Sequence, residues 1–126
     1  MKRREGLALL AGASQALAAA CAPAKPVDRR TRVSLDELRA RGRLVIQHAG
    51  EPVEVSQTEA GLLARSMLCT HIGCLVRWDA GNAFYRCSCH QATFDGDGRP
   101  VSGPAQRPLR MLSVEVIGQD ILVGER

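Results

Sequence analysis

Two short runs of cysteine and histidine decide how this sequence folds. The first run reads Cys69-Thr-His-Ile-Gly-Cys74, and after twelve residues the second reads Cys87-Ser-Cys-His90-Gln-Ala-Thr-Phe94. Four of the five cysteines and two of the three histidines in the 126-residue chain fall within these runs. Thiolate and imidazole groups are the usual protein ligands of zinc and iron, so the pattern indicates a metal site.

A zinc site and a disulfide framework each leave part of the pattern without a role. Zinc sites with two cysteines and two histidines usually keep like residues together, with two to five residues between partners. Here Cys69 and His71 are separated by a single residue, and zinc gives no role to Cys74 and Cys89. Pairing all four cysteines as disulfides leaves the histidines unexplained. A [2Fe–2S] cluster fits better, because one iron takes both thiolates and the other takes both imidazoles.

The two runs resemble the double signature of the Rieske family, in its cytochrome bc-type branch. The resemblance implies that the first cysteine and the histidine of each run ligate one [2Fe–2S] cluster. It also implies that the second cysteines are joined in a disulfide. The implied ligands are Cys69, His71, Cys87 and His90, and the implied disulfide is Cys74–Cys89.

The resemblance covers about residues 33–126 and implies an all-β Rieske domain. Such a domain has an antiparallel β-sandwich base and a small cluster-binding subdomain, here from about Cys69 to Ala105. A capping box at Ser34 and Glu37 predicts a short helix that Gly42 ends near Arg41. Alternating apolar residues and turn signals predict the strands. These are Leu44–His48 and Val53–Gln57 around a turn at Gly50 and Pro52, Gly61–Leu68, the hairpin Leu75–Trp78 and Ala83–Arg86, and the hairpin Leu109–Ile117 and Ile121–Val123.

The first 20 residues are typical of an export signal. A basic start with Arg3 and Arg4 precedes an uncharged stretch rich in alanine, and the adjacent arginines resemble a twin-arginine signal. The segment that ends at Cys21 resembles a lipobox, which makes Cys21 a candidate lipidation site. An uncleaved membrane anchor and simple cleavage remain open alternatives. Residues 21–32 contain prolines and charges and are predicted to form a tether.

Composition and cysteine usage narrow the partners and the compartment. The net charge of +4 includes three basic residues at the N-terminus, and the chain has only four aromatic residues. A nucleic-acid partner is therefore not expected. A disulfide implies an oxidising compartment, so we expect the bacterial periplasm or the outer face of the cytoplasmic membrane, with the chain attached to the membrane.

The resemblance implies one-electron transfer, with His71 or His90 meeting the electron donor. Histidine ligation leaves the oxidised cluster uncharged, which raises its reduction potential. The leading context is the iron–sulfur subunit of a bacterial quinol:cytochrome c reductase, with cytochrome b and a c-type cytochrome as partners. Such a subunit transfers electrons rather than acting as an enzyme by itself.

At two positions the chain departs from the family pattern, and this departure favours electron-transfer partners other than those of a quinol:cytochrome c reductase. High-potential relatives carry a serine and a tyrosine where this chain has Ala92 and Phe94, and two hydroxyl donors to sulfur are therefore lost. This predicts a potential in the lower half of the Rieske range of about −150 to +300 mV. The alternatives are the small subunit of a periplasmic molybdenum oxidase of the arsenite oxidase type and a free electron-carrier lipoprotein.

Overall fold

Three antiparallel sheets and one short helix form the part of the chain that the computed structural model describes, which is Gly12 and residues 22–125. The all-β prediction is confirmed. In chain order the elements are β1 (Thr31–Ser34), α1 (Leu35–Arg41), β2 (Arg43–His48), β3 (Glu51–Thr58), β4 (Gly61–Ser66), β5 (Val76–Asp79), β6 (Phe84–Cys87), β7 (Thr93–Phe94), β8 (Pro100–Ser102), β9 (Met111–Leu112), β10 (Val114–Ile117) and β11 (Asp120–Val123).

The helix forms where its capping residues predict it. The Ser34 hydroxyl accepts a hydrogen bond from the Glu37 N–H at 3.3 Å, which satisfies one of the free donors of the first turn. Gly42 ends the helix with a φ of 78°, and its N–H donates to the carbonyl of Leu38 at 2.6 Å. Leu35 and Leu38 are buried in the same core as Val53 and Val55, so the helix packs against the strands of the base.

The sheet farthest from the cysteine runs has the order β1-β11-β10. Its first strand, β1, was not predicted from the sequence: Thr31 and Arg32 pair with Val123 and Leu122. Both residues were assigned to the tether, and the structure corrects that boundary. Their strand partners lie at the opposite end of the chain, so nothing in the local sequence marks them as a strand.

The middle sheet has the order β2-β3-β4-β9, and the centre of β3 is buried on both faces. Val53 and Val55 point to a core shared with the first sheet and the helix, so these two sheets form the sandwich base. Glu54, between them in the strand, points to the other face and is buried as well. The predicted turn at Pro52 is wrong: this residue is the second of β3, and its carbonyl accepts from the Met67 N–H at 2.9 Å.

The third sheet, with the order β5-β6-β7-β8, belongs to the cluster-binding subdomain. Its separate core extends from Met67 to Leu109 and includes Cys69 and Cys87. The segment therefore leaves the base after β4 and returns to it at β9, and these two strands pair with each other. The predicted hairpin of β5 and β6 is confirmed, with Val76 opposite Cys87.

Within the described residues, none of the helices is long and apolar enough to cross a membrane. The predicted signal segment, except Gly12, and the candidate lipidation site Cys21 lie outside the described residues.

Candidate metal centre

The first ligand loop, residues 68–75, is closed by its own backbone. Cys69 donates its N–H to the carbonyl of Cys74 at 2.7 Å, and Gly73 donates to the carbonyl of Cys69 at 2.8 Å. Gly73 has a φ of 74°, a conformation that glycine adopts without steric cost. The glycine in the Cys-x-His-x-x-Cys run thus permits the tight turn that holds His71 at its tip.

The second ligand loop, residues 87–92, is closed in a similar way at the end of β6. The Cys87 N–H donates to the carbonyl of Ala92 at 2.8 Å. Gln91 adopts a φ of 58°, which is uncommon for a residue with a side chain. The Ser88 N–H reaches the carbonyl of Leu75 at 3.4 Å and connects this loop to the first.

A disulfide between Cys74 and Cys89 joins the two loops, as the family resemblance implies. The Cα atoms of the two residues are 6.2 Å apart. Because one cysteine lies in each loop, the covalent bond fixes the distance between the loops independently of any bound metal.

The four predicted ligands form two pairs, one of cysteines and one of histidines. Cys69 and Cys87 carry free thiols, each residue is about 3% exposed, and the two side chains are close enough to interact. The rings of His71 and His90 are exposed, with centroids 5.0 Å apart and planes at 79°. The site therefore has a buried sulfur side and an exposed imidazole side.

These donors fit a cluster that takes its ligands in pairs. Burial raises the pKa of the Cys69 thiol, whereas backbone N–H groups of His71 and Ile72 donate to its sulfur and favour the thiolate. Such donors are suited to a sulfur that carries negative charge next to iron. Among the described residues, no three His, Cys, Asp or Glu side chains converge on a single-ion site.

The side chains that follow His90 bring no hydroxyl to the sulfur side. Ala92 and Phe94 are completely buried in the same core as Cys69 and Cys87. Thr93 points the other way, and its hydroxyl forms a hydrogen bond with the hydroxyl of Ser102. Thr93 therefore does not replace the donors missing at its two neighbours.

A third loop packs against the second ligand loop. Gly103 has a φ of 87°, and a Cβ there would lie 2.6 Å from the Cα of Ala92. The backbone at Gly103 can therefore approach Ala92 only because this residue is glycine.

The structure also brings together residues that the sequence analysis did not single out. Tyr85, completely buried in β6, donates its hydroxyl to Glu54 at 2.6 Å. Burial, and then the hydrogen bond to Glu54, raise the pKa of Tyr85, which keeps the hydroxyl protonated as a donor. One signal was available, because Tyr85 precedes Cys87 by two residues and so shares its strand face.

Comparison with known proteins agrees with this geometry. The family model for the Rieske [2Fe-2S] domain matches residues 31–115, well over half of the chain. This chain belongs to the Rieske family. As a Rieske protein it carries a [2Fe–2S] cluster and functions in electron transfer.

Two similar proteins come from Chlorobaculum tepidum. The cytochrome b6-f complex iron-sulfur subunit of Chlorobaculum tepidum is 37% identical over 80 residues, which cover 64% of this chain and 44% of that protein. The carotenoid phi-ring synthase of the same organism is 37% identical over 83 residues, 64% of this chain but 13% of the synthase. This chain thus matches less than half the length of either relative.

Among solved structures, the plasma membrane Rieske protein PetC3 from Synechocystis PCC 6803 is similar over most of its length. The TM-score is 0.62 at 34% identity, covering 73% of this chain and 95% of that one. The ferredoxin of carbazole 1,9a-dioxygenase from Nocardioides aromaticivorans IC177 has a TM-score of 0.55 at 27% identity, with 77% and 98% covered.

Proposed function

We propose that Cys69 and Cys87 ligate one iron of the [2Fe–2S] cluster, and that His71 and His90 ligate the other. The observation that carries this assignment is the pairing of two buried free thiols with two adjacent exposed imidazoles. When bound, the cluster supplies a one-electron redox centre whose potential is raised by histidine ligation.

The residues of the site divide the work of a redox protein. The buried thiols and their apolar neighbours keep water from the sulfur side, which limits the solvation of charge there. The exposed imidazoles of His71 and His90 face the solvent, where a partner can approach. Each imidazole has a ring nitrogen that does not bind iron, and this nitrogen can donate a hydrogen bond or hold a proton.

An exposed imidazole is suited to a donor that loses protons together with electrons. We therefore propose that the chain is the iron–sulfur subunit of a bacterial quinol:cytochrome c reductase. The likeness to an iron-sulfur subunit of a cytochrome b6-f complex supports this role. Its partners would be quinol bound to cytochrome b and a c-type cytochrome. The subunit would lie at the outer face of the cytoplasmic membrane, attached through lipidated Cys21 or an N-terminal anchor.

The apolar side chains of Ala92 and Phe94 favour a second candidate function. Without hydroxyl donors to sulfur, the reduced and more negative state loses stabilisation, so the potential falls. A low potential suits a subunit that serves a periplasmic molybdenum oxidase or a free electron-carrier lipoprotein. The two candidates differ in potential and in the electron donor.

The ligand assignment is tested by pulsed EPR of the reduced full-length protein. We expect nitrogen couplings from two imidazoles, and we expect His71→Gln and His90→Gln each to remove the native spectrum. His48→Gln is the matched control, because the third histidine bonds Thr31 in the base, at 2.8 Å, rather than lining the ligand loops. A native spectrum in either ligand variant would overturn the assignment.

The choice of partner is tested by measuring the reduction potential as a function of pH. A potential above about +150 mV that falls as the pH rises near neutrality would support quinol oxidation, since that value lies in the upper half of the Rieske range. A potential near or below 0 mV would favour the second candidate. If the protein with a low potential were nevertheless reduced rapidly by a quinol in the presence of cytochrome b, that result would support the quinol:cytochrome c reductase function.

A further inference from the structure

A buried polar network lies between the base and the cluster-binding subdomain. The side chain of Glu54 on β3 is 3% exposed and accepts a hydrogen bond from Arg43 at 2.6 Å. The same carboxylate oxygen accepts from the Tyr85 hydroxyl at 2.6 Å. Charged and hydroxyl groups therefore occupy an interface where apolar side chains would be the ordinary choice.

Arg65 enters the network from β4. It is 4% exposed, and its Nη1 donates to the Tyr85 hydroxyl at 3.0 Å and to the carbonyl of Gly96 at 3.1 Å. A Cβ on Gly98 would lie 2.9 Å from Arg65 Nε, so the guanidinium passes directly beneath the turn that follows Phe94. Its Nε has no hydrogen-bond partner among the described residues.

Both anchored segments continue into the second ligand loop. Tyr85 and Cys87 lie on the same face of β6, because side chains alternate along a strand. The turn that Arg65 holds lies after β7, which begins just beyond this loop. The network thus holds the second ligand loop on both sides: through the strand that enters it and through the turn that follows it.

A buried network of charged groups is a poor way to stabilise a fold if stability is its only role. Removing charged groups from water is unfavourable, and well-packed apolar groups at the same place often stabilise a fold as well or better. What hydrogen-bonded ions add is a defined geometry and a fixed local charge. In a buried site the charge is poorly screened by solvent and acts over longer distances than at the surface.

We propose that Glu54 and Arg65 are positioning residues for the redox site: through Tyr85 they fix Cys87 against Cys69, and their opposite charges bias the uptake of an electron in opposite directions. This inference rests on the proposed assignment of all four cluster ligands, two cysteines and two histidines. A carboxylate near the site disfavours the added negative charge of reduction, whereas a guanidinium favours it.

The test uses the full-length protein with its cluster and two single substitutions. We expect Glu54→Gln to raise the reduction potential and Arg65→Met to lower it. We expect both variants to lose the cluster several-fold faster on warming, as followed by visible absorbance. Asp120→Asn is the control, because it removes a carboxylate paired with an arginine, Arg32, in the sheet farthest from the site. It should leave both quantities unchanged.

The signs of the two shifts decide the question. Shifts in the same direction, or shifts no larger than that of the control, would overturn the electrostatic part of the proposal. Cluster loss at the control rate would overturn the positioning part. Pulsed EPR of the unsubstituted protein reports the imidazole couplings separately, so failure of the ligand assignment is distinguishable from failure of this inference.

A third variant covers the case in which Glu54→Gln does not fold. Tyr85→Phe keeps the ring and its packing against Trp78, whose centroid lies 4.7 Å away, and removes only the hydroxyl. We expect faster cluster loss with a smaller change in potential, because no formal charge is removed. A cluster as long-lived as in the unsubstituted protein would show that Tyr85 does not connect the network to Cys87.

Discussion

Gly103 lies so close to Ala92 that a side chain at residue 103 would collide with the backbone of the second ligand loop. A Cβ on Gly103 would lie 2.6 Å from the Cα of Ala92, and the φ of 87° adds conformational strain. We therefore expect Gly103→Ala to lower the free energy of unfolding by about 2–5 kcal/mol, the sum of backbone strain and overpacking.

Gly50→Ala separates these two contributions. Gly50 has a similar φ of 80°, but a Cβ there would meet nothing within 4 Å. The decrease in the free energy of unfolding caused by Gly50→Ala should therefore be limited to backbone strain, about 1–2 kcal/mol. Equal losses in urea denaturation of the two variants would show that the contact between Gly103 and Ala92 is not sterically tight.

Reduction of the Cys74–Cys89 disulfide should loosen the site without unfolding the base. The two cysteines are 15 residues apart, and a loop of that size is worth about 3 kcal/mol in the chain-entropy account. We expect the double variant Cys74→Ser/Cys89→Ser to lose its cluster at a lower urea concentration than the unsubstituted protein. At that urea concentration far-UV circular dichroism should still show the strands of the base. Loss of the strand signal at the same urea concentration as cluster loss would contradict the prediction that the base stays folded.

Hydroxyl groups introduced beside His90 should raise the reduction potential. Ala92→Ser and Phe94→Tyr place donors on the buried sulfur side, and two added hydrogen bonds of about 1 kcal/mol each correspond to roughly 90 mV. Thr93→Val is the control, since this hydroxyl already bonds Ser102 and points away from the sulfur side. Protein-film voltammetry would measure the reduction potentials of the double variant, the control and the unsubstituted protein. A rise in the potential of the control as large as in the double variant would contradict the prediction.

Strong alkali should destabilise the fold through Tyr85. Burial and the adjacent carboxylate of Glu54 raise the pKa of this tyrosine above its ordinary value of 10. Above pH 10 the unfolded chain releases this proton while the folded chain retains it, so the free energy of unfolding should fall as the pH rises. Tyr85 is the single tyrosine of the chain, and its ultraviolet titration is therefore unambiguous.

Tyr85→Phe should abolish this alkaline loss of stability relative to neutral pH. The hydroxyl is then absent from both the folded and the unfolded chain, so no proton difference remains at this position. If the substituted protein lost stability between pH 9 and 11 as steeply as the unsubstituted one, another group would be responsible.

The sequence predicted the parts of the site whose chemistry is local. Cys69 and His71 occur in one short run and Cys87 and His90 in another, so residue type and spacing indicated a metal site, and the family resemblance implied these four residues as its ligands. The disulfide followed from family resemblance rather than from geometry. Helix α1 was predicted as well, because its capping residues Ser34 and Gly42 are adjacent to it in sequence.

Contacts between distant segments were not predictable in this way. Glu54 and Tyr85 are 31 residues apart, and strand alternation shows only that they occupy some face of a sheet. β1 was missed for the same reason, since Thr31 pairs with Val123. Pro52 was assigned to a turn together with Gly50, because both residue types are turn signals, yet proline is tolerated near the start of a strand.

The cluster-binding subdomain is an insertion between two neighbouring strands of the middle sheet, so it could in principle be moved to another protein as one segment. β4 and β9 are antiparallel neighbours, with Ala64 opposite Leu112 and Arg65 opposite Met111. Opposed Cα atoms in such a pair are about 5 Å apart. A short hairpin would therefore close the base in place of the whole inserted segment, and the segment would fit any sheet with two such adjacent strands. The receiving sheet would also need residues equivalent to Glu54 and Arg65, because otherwise the inserted segment would lose the hydrogen bonds that hold Tyr85.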